Sequence, residues 1–271
     1  MSRVLLGIYL LVLAAVGVFV FLPTGALVPS VAAAGAGWVA LVALVNWLLV
    51  RRHPARPAGT GWAFVVAFVA GVLVFGAMAP VNEALMGALD GAGRFARWAA
   101  SPIEEETLKL LAAVLVMTSF KRIDNPVVAA LIGMTVGFGF QCVEDVFYVD
   151  KGVLYNMVSD ADGFAQSAPG RVITPVSHCL FTALAAYGAG KAMFTPGTSG
   201  GWRFGTALAW FLAGYALHAA NNVGAEFAGD SVAGTVFIIA LLIALPVLGI
   251  WLYVRSRKSA ATQASATPQL P

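Results

Sequence analysis

Acidic and histidine side chains lie inside apolar stretches of this sequence, where ionisable groups are rare. Three glutamates occupy residues 104–106, and Glu144, His178 and His218 lie in three further apolar stretches. An ionisable side chain in the middle of a membrane helix costs about 2.5–3.5 kcal/mol on insertion scales, so such residues are candidates for function. Glutamate can activate water as a general base, and histidine can stabilise developing charge or bind a metal ion. These residues are therefore candidates for a functional site.

The acidic run stands at the start of a predicted helix. Ser101 is the expected N-cap, Pro102 the first helical residue and Glu104 the acid that closes a capping box. At about 100° per residue, Lys109 lies near residues 105–106 and far from Glu104. An ion pair between Glu106 and Lys109 would explain Glu106 as a structural residue. It would not explain the neighbouring carboxylate of Glu105.

Helical spacing brings the remaining polar residues to common faces and to one depth. Asn222 follows His218 by four residues, so both lie on the same face of their helix. At a rise of 1.5 Å per residue, Glu105, Glu144, His178 and His218 all lie at one level, a few turns or less below the outer loops. Four helices are therefore expected to bring polar groups together in one site.

Other notable residues have simpler structural interpretations. His53 lies in a basic loop and is expected to be solvated. Cys142 and Cys179 fall inside apolar stretches, which argues against an extracellular disulfide framework. Gly133 and Gly137 form a GxxxG motif, which is typical of close helix packing in membranes.

Composition identifies the elements that must position these residues. The 271-residue chain is 60% hydrophobic and only 11% charged, whereas soluble domains carry about 25% charged residues. Apolar stretches of about 20 residues are predicted to be transmembrane helices, because backbone groups in lipid must be paired internally. Eight are predicted, at residues 4–22, 26–50, 61–80, 103–120, 127–149, 172–194, 204–225 and 232–254. The first, third and eighth contain almost nothing polar and are expected to face lipid.

The basic residues predict the orientation of these helices. With a cytoplasmic N-terminus, the cytoplasmic ends hold Arg3, Arg51, Arg52, Arg56, Lys121, Arg122, Lys191, Arg203, Arg255, Arg257 and Lys258. The outer loops then hold only Arg94, Arg97, Lys151 and Arg171. This excess of positive charge on one side follows the positive-inside rule. The net charge of +3 therefore reflects orientation, and no nucleic-acid partner is expected.

The expected fold is an all-α, polytopic membrane helical bundle of about eight transmembrane helices with both termini cytoplasmic. Residues 1–258 are expected to form a single transmembrane domain, with the polar motifs concentrated in residues 101–225. Residues 259–271 are small and polar and are expected to be a disordered cytoplasmic tail. The first apolar segment is too long for a signal peptide, so it counts as a helix.

The ordered set of polar residues resembles the motifs of the PrsW family of intramembrane proteases. Glu105-Glu106-x-x-Lys109 resembles the family's EExxK motif, Phe140-x-x-x-Glu144 its FxxxE motif, and His178 and His218-x-x-x-Asn222 its two histidine motifs. The type II CAAX prenyl endopeptidases of the same superfamily carry EExxxR and FxxxH instead. Glu104-Glu105 with Lys109 also fits that longer spacing, so Glu105 is the acid common to both registers. Glu144, in place of histidine, favours PrsW.

The resemblance implies an intramembrane endopeptidase that cleaves membrane-anchored proteins near the outer membrane face. Typical substrates of such enzymes are anti-sigma factors, cleaved at site 1 during regulated stress signalling. The expected partners are a single-pass membrane protein substrate and the lipid bilayer, in a bacterial cytoplasmic membrane.

Two accounts of the catalytic water are open, and the first needs no metal. In it, Glu105 is the general base, and Glu106 with Lys109 holds its charge state. His218 and Asn222 donate hydrogen bonds to the oxyanion.

The second account uses Zn²⁺. Glu144, His178 and His218 are a chemically sensible zinc set that leaves a fourth position for water, with Glu105 as base. Without zinc, Glu144 and His178 would orient the water. The metal-free account is favoured because Asn222 is a poor zinc ligand and a good oxyanion donor.

Two functions other than proteolysis also fit intramembrane acids and histidines. One is a proton-coupled transporter, but the polar groups cluster at one depth instead of forming a path across the membrane. The other is a non-catalytic scaffold or binding subunit, but the motif set is complete.

Overall fold

The structure, a computed structural model, describes residues 2–27, 29–156, 159–173 and 177–266, excepting the side chains at 18–27, 29, 79, 172–173 and 263–266. These residues form ten α-helices and one short 3-10 turn at Asp90–Ala92, and they contain no β-strand. The helices are α1 Ser2–Leu27, α2 Pro29–Arg51, α3 Gly61–Ala88, α4 Arg94–Ala100, α5 Pro102–Ser119, α6 Pro126–Leu154, α7 Asp160–Ile173, α8 Ser177–Phe194, α9 Gly200–Phe227 and α10 Val232–Ala266.

The predicted all-α membrane bundle is confirmed. Each of the eight predicted segments overlaps a helix, and the two additional helices, α4 and α7, lie in the predicted outer loops. Among the described residues, four helical segments are long and apolar enough to cross a membrane: Ser30–Arg51, Gly61–Met78, Pro126–Leu154 and Val232–Thr262. The number of eight spans and the cytoplasmic location of both termini stay predictions.

Helix α6 lies at the centre of the bundle and packs closely against α8. The side chain of Asn125 accepts a hydrogen bond from the backbone N–H of Val128 and so caps the start of α6. A Cβ added at Gly133 would lie 2.5 Å from the carbonyl oxygen of Thr182, and one added at Gly137 would lie 2.4 Å from that of His178. The GxxxG motif therefore lets the two backbones touch, as predicted.

The expectation that the third predicted helix faces lipid was wrong. Helix α3 packs against α6 through small residues, since a Cβ at Gly71 would lie 2.0 Å from the carbonyl oxygen of Val136. Phe64 and Phe75 of α3 are buried in the main core. A purely apolar helix suits lipid and protein interior equally well, so polarity alone does not separate the two surroundings.

Of the four candidate spans, the one in α10 is the least buried, as expected for a lipid-facing helix, and the C-terminal half of α10 is tethered to the loop after α2. His53 is buried instead of solvated: its Nε2 lies 3.0 Å from Ser256 Oγ, and its ring contacts that of Tyr253. The helix continues to Ala266, so the first part of the tail expected to be disordered is helical. Its alanines favour continuation of a helix already formed. Residues 267–271 lie outside the described residues.

Candidate active site

The first two turns of α5 carry a buried ion-pair cluster. Lys109 Nζ lies 2.6 Å from Glu106 Oε1 and 3.8 Å from Glu105 Oε2, and all three side chains are buried. The predicted ion pair of Lys109 with Glu106 is thus present. The helical offsets of three and four residues place both acids on the face that carries the lysine.

Glu104 points away from this cluster. Its Oε1 accepts a hydrogen bond from the side-chain amide of Asn82 in α3. Pro102 is the first residue of α5, as predicted, but the predicted capping box is absent: the Ser101 hydroxyl donates to the carbonyl oxygen of Trp98 and makes no cap hydrogen bond. Ser101 has helical backbone angles because the short helix α4 runs directly into α5, so the site for a side-chain cap is lost.

Glu106 is fully satisfied by its neighbours. Besides Lys109, its Oε1 accepts a hydrogen bond from His218 Nδ1 at 2.8 Å, and its Oε2 accepts one from the hydroxyl of Thr182 at 3.3 Å. Because a carboxylate only accepts, Nδ1 of His218 carries a proton, and in the neutral imidazole Nε2 then presents a lone pair. Glu106 therefore fixes the ring of His218, as the outer carboxylate does in carboxylate–histidine–metal arrangements.

His178, in the first turn of α8, connects Lys109 of α5 to Glu144 of α6. Its Nδ1 lies 2.9 Å from Lys109 Nζ, and its Nε2 lies 3.0 Å from Glu144 Oε2. Its ring packs on Phe140, the aromatic residue of the FxxxE motif, with ring centroids 4.9 Å apart. Phe181 stacks on His218 at the same centroid distance. The two phenylalanines thus form apolar walls around the histidines.

Glu105, His178 and His218 form a candidate metal-binding group. Each offers a ligand atom, and these atoms all lie within 4.8 Å of one another. Glu105 Oε2 is buried and has no hydrogen-bond partner among the described residues. It faces His218 Nε2 at 3.7 Å, which is too long for a hydrogen bond. Two lone pairs thus face each other without a donor between them.

Glu144 and Asn222 have different positions from those expected. The zinc set predicted from the sequence contains Glu144, whereas the group in the structure contains Glu105, with Glu144 bound to the far side of His178. The side-chain amide of Asn222 donates to Ser101 Oγ at 3.0 Å, which links α9 to the start of α5. Apart from Asn222, the six predicted catalytic residues, Glu144 included, come together in the structure. The catalytic roles of all seven stay predictions.

Arg171 and Asp145 are parts of the site that the sequence left unassigned. Arg171 of α7, expected in an outer loop, pairs with Glu144 at 2.5 Å and with Asp145 at 3.0 Å. Asp145 also accepts hydrogen bonds from Gln141 and from Trp38 of α2. One signal was available: two consecutive acids at the end of an apolar helix require a cation nearby.

Comparison with known proteins identifies the family. The model of the PrsW family intramembrane metalloproteases matches residues 58–251. The chain belongs to the PrsW family. It is therefore an intramembrane protease and a multi-pass membrane protein, which confirms the predicted family and enzyme class. No match was found among curated proteins or solved structures.

The charge of the PrsW site also suits a metal ion. The connected residues hold four carboxylates, Glu105, Glu106, Glu144 and Asp145, and two cations, Lys109 and Arg171. With both histidines neutral, the formal charge of this cluster is −2. Uncompensated buried charge is costly, and a divalent cation would balance it. The donor set, the unpaired oxygen and the charge all fit zinc.

Proposed function

We propose that this PrsW protease hydrolyses a peptide bond of a membrane-anchored protein at a centre formed by Glu105, His178 and His218. The observation that carries the proposal is Glu105 Oε2, which has no hydrogen-bond partner among the described residues and is buried opposite His218 Nε2 at 3.7 Å. A buried carboxylate oxygen without a donor costs free energy unless a reactant or an ion occupies its surroundings. In the part of the chain that the structure describes, Glu104 Oε2 also lacks a hydrogen-bond partner, but only Glu105 lies within reach of both His178 and His218, so Glu105 is the carboxylate best placed for catalysis.

The same geometry favours the zinc account over the metal-free account preferred on sequence grounds. The metal-free account relied on His218 and Asn222 as oxyanion donors. His218 presents a lone pair on Nε2, because its Nδ1 proton is held by Glu106. The amide of Asn222 is already used by Ser101. We therefore propose that Glu105, His178 and His218 hold Zn²⁺, in place of the set with Glu144.

When bound there, zinc supplies a Lewis acid and makes a bound water ionisable near neutral pH. The protein's own groups prepare the site. Glu106 holds the tautomer of His218, and Lys109 balances the charge of Glu106 at 2.6 Å. Lys109 donates to Nδ1 of His178 and the Nε2 proton goes to Glu144, so a metal bound through Nδ1 would replace the contact with Lys109 and leave the contact with Glu144.

A second mechanism keeps Glu105 as the base that takes a proton from the catalytic water. The unpaired Oε2 favours it equally, since a free lone pair is what a general base requires. Glu105 is indispensable in both mechanisms, and removal of zinc separates them.

The expected substrate is a single-pass membrane protein, of the anti-sigma-factor type, cleaved near the outer face of a bacterial cytoplasmic membrane. This proposal is supported by the location of the site residues, at the start of α5 and α8 and in the second half of α6 and α9, which are outer ends in the predicted orientation. Single cysteines at positions 160 and 197 should react with impermeant reagents from opposite sides, the former from outside. Labelling of both from one side would contradict the orientation.

The experiment that tests the function compares Glu105→Gln with Glu104→Gln in reconstituted membranes containing candidate single-pass substrates. Glu105→Gln should lower cleavage by at least about 100-fold at unchanged protein level, since it removes a carboxylate oxygen from the centre. Glu104→Gln keeps a side chain that can accept from Asn82, so cleavage should fall less than about tenfold. An active Glu105→Gln and an inactive Glu104→Gln would show that the wrong acid is assigned.

A further inference from the structure

Arg171 connects α7 to the two consecutive acids of α6. Its Nη2 lies 2.5 Å from Glu144 Oε2 and its Nε lies 3.0 Å from Asp145 Oδ1. Both carboxylates are buried, and the arginine side chain is 26% exposed. One guanidinium thus holds two carboxylates in fixed directions, as its planar fork of donors allows.

The first connection from Arg171 reaches the ring of His178. Glu144 Oε2, the oxygen bound by Arg171, also contacts His178 Nε2 at 3.0 Å. The direction of this carboxylate therefore fixes the rotation of the imidazole. Without the guanidinium, the carboxylate of Glu144 would be free to turn about its side chain.

The second connection reaches the backbone that carries the same histidine. Asp145 Oδ1 accepts from the amide of Gln141 at 2.8 Å. The carbonyl oxygen of that amide accepts from the hydroxyl of Ser177 at 3.1 Å and lies 3.5 Å from the backbone nitrogen of His178. Arg171 thus acts on His178 through both its ring and the first turn of α8.

Helix α7 can hold Arg171 in place because it packs closely on α6. A Cβ at Gly152 would lie 1.7 Å from Ser167 Oγ, and one at Gly163 would lie 2.7 Å from the Cα of Val153. The two helices therefore meet through small residues, with little freedom to slide. The position of the guanidinium is set by a rigid contact.

We propose that Arg171 is a positioning residue that orients His178 for catalysis through Glu144 and Asp145. This positioning role rests on the proposed catalytic centre, in which His178 is a metal-binding residue. The ion pairs of Arg171 are with Glu144 and Asp145, so it acts on the centre through these two carboxylates. Loss of an outer partner of a metal-binding histidine typically lowers metal affinity or activity 10- to 100-fold.

The test compares three variants of the full-length protein, purified in detergent. Arg171→Gln removes the charge, and Arg171→Lys keeps it but cannot hold both carboxylates with one planar group. The matched control is Arg94→Gln, because Arg94 also binds two carboxylates, those of Glu226 and Asp230, on the outer surface away from the site. For each protein, the Kd for Zn²⁺, the kcat and KM for a single-pass substrate, and the Tm are measured.

Arg171→Gln should raise the Kd for Zn²⁺ by 10- to 100-fold and lower kcat with little change in KM. The Kd and kcat of Arg171→Lys should lie between those of Arg171→Gln and wild type. Arg94→Gln should match wild type in both quantities. If Arg171→Gln does not fold, the intermediate Kd of Arg171→Lys carries the test. Wild-type zinc affinity and kcat in both Arg171 variants, or equal losses in Arg94→Gln, would overturn the proposal.

A second measurement asks whether Arg171 acts through Glu144. In a Glu144→Gln background, Arg171→Gln should raise the Kd for Zn²⁺ by less than about threefold, since linked residues give non-additive effects. Full additivity would overturn the linkage.

If wild type binds zinc but cleaves no substrate, the proposed function fails, while the effect of Arg171 on zinc affinity still tests the positioning role. If wild type cleaves without zinc, the role is tested by kcat, and an unchanged kcat overturns it.

Discussion

The contact between α6 and α8 and the contacts of α10 show two opposite ways of packing a membrane helix. Between α6 and α8, glycines at positions 133 and 137 bring one backbone against the other. Helix α10 instead contacts its neighbours through long side chains such as Leu245. A cavity of about 620 Å³ remains between α10 and the surfaces of α6 and α8, lined by residues such as Met134 and Tyr187.

The difference separates the part of the bundle that holds the proposed catalytic centre from the part that encloses it. The first turn of α8 carries His178, and α6 carries Glu144, so any shift between these helices moves both side chains. In lipid, where apolar surfaces gain little from meeting one another, close backbone packing holds helices together. None of the described side chains of α10 belongs to the cluster, so its packing can be looser without moving the site.

The largest expected effect comes from adding a methyl group at the closely packed contact. In Gly137→Ala the new Cβ would lie 2.4 Å from the carbonyl oxygen of His178, so α8 must move. We expect a loss of about 1–3 kcal/mol in the free energy of unfolding, or more. Because a displacement of about 1 Å can cost 100-fold in rate, cleavage should fall by about that factor.

The matched control is Gly249→Ala in α10. A Cβ at this position would meet no atom of the described residues within 4 Å. Substrate cleavage and thermal unfolding in detergent should therefore match wild type. If Gly137→Ala and Gly249→Ala give the same results in both assays, the α6–α8 contact is not packed more closely than the contacts of α10.

A smaller effect is expected where α10 is tethered through His53. Burial, helped by the positive charge of Arg257, lowers the pKa of His53 from 6.5 to about 4. The folded state thus binds the proton less well than the unfolded state, so this contribution to stability is complete above pH 6.5 and is lost as pH falls towards 4. By pH 5 the loss should be on the order of 1–2 kcal/mol.

The measurement is the Tm between pH 7.5 and pH 5 for wild type and His53→Gln. The glutamine variant cannot titrate at this position, so its Tm should decrease less over that interval than the wild-type Tm does. Equal decreases in Tm for the two proteins would mean that protonation of His53 does not destabilise the contact between His53 and α10.

The smallest effect concerns the hydrogen bond between α9 and the start of α5. Asn222→Ala removes the amide that donates to Ser101 Oγ, which should cost about 1 kcal/mol of stability and less than tenfold in kcat. Ser101→Ala removes the same bond and should have a similar effect, with little further loss in the double variant. A 100-fold loss of kcat in Asn222→Ala alone would instead restore the asparagine as an oxyanion donor.

The sequence predicted the helices that carry the site because ionisable residues in apolar stretches are rare and informative. Glu105, His178 and His218 were assigned in this way, and their convergence followed from depth along the helices. The burial of α3 could not be predicted, because its apolar side chains suit lipid as well as a protein core. The contacts of Glu144 and Asn222 could not be predicted either. They depend on helix rotation and on side-chain partners far apart in sequence, Arg171 and Ser101.

The most direct test of the central claim is the zinc content of the purified, active protein together with cleavage before and after chelation. The zinc centre predicts about one equivalent of zinc, activity that is lost on removal and regained on re-addition, and loss of the metal in Glu105→Gln, His178→Ala and His218→Ala. Protein that cleaves its substrate with far less than one equivalent, and keeps that activity after strong chelation, would contradict the zinc centre and return Glu105 to the role of a metal-free base.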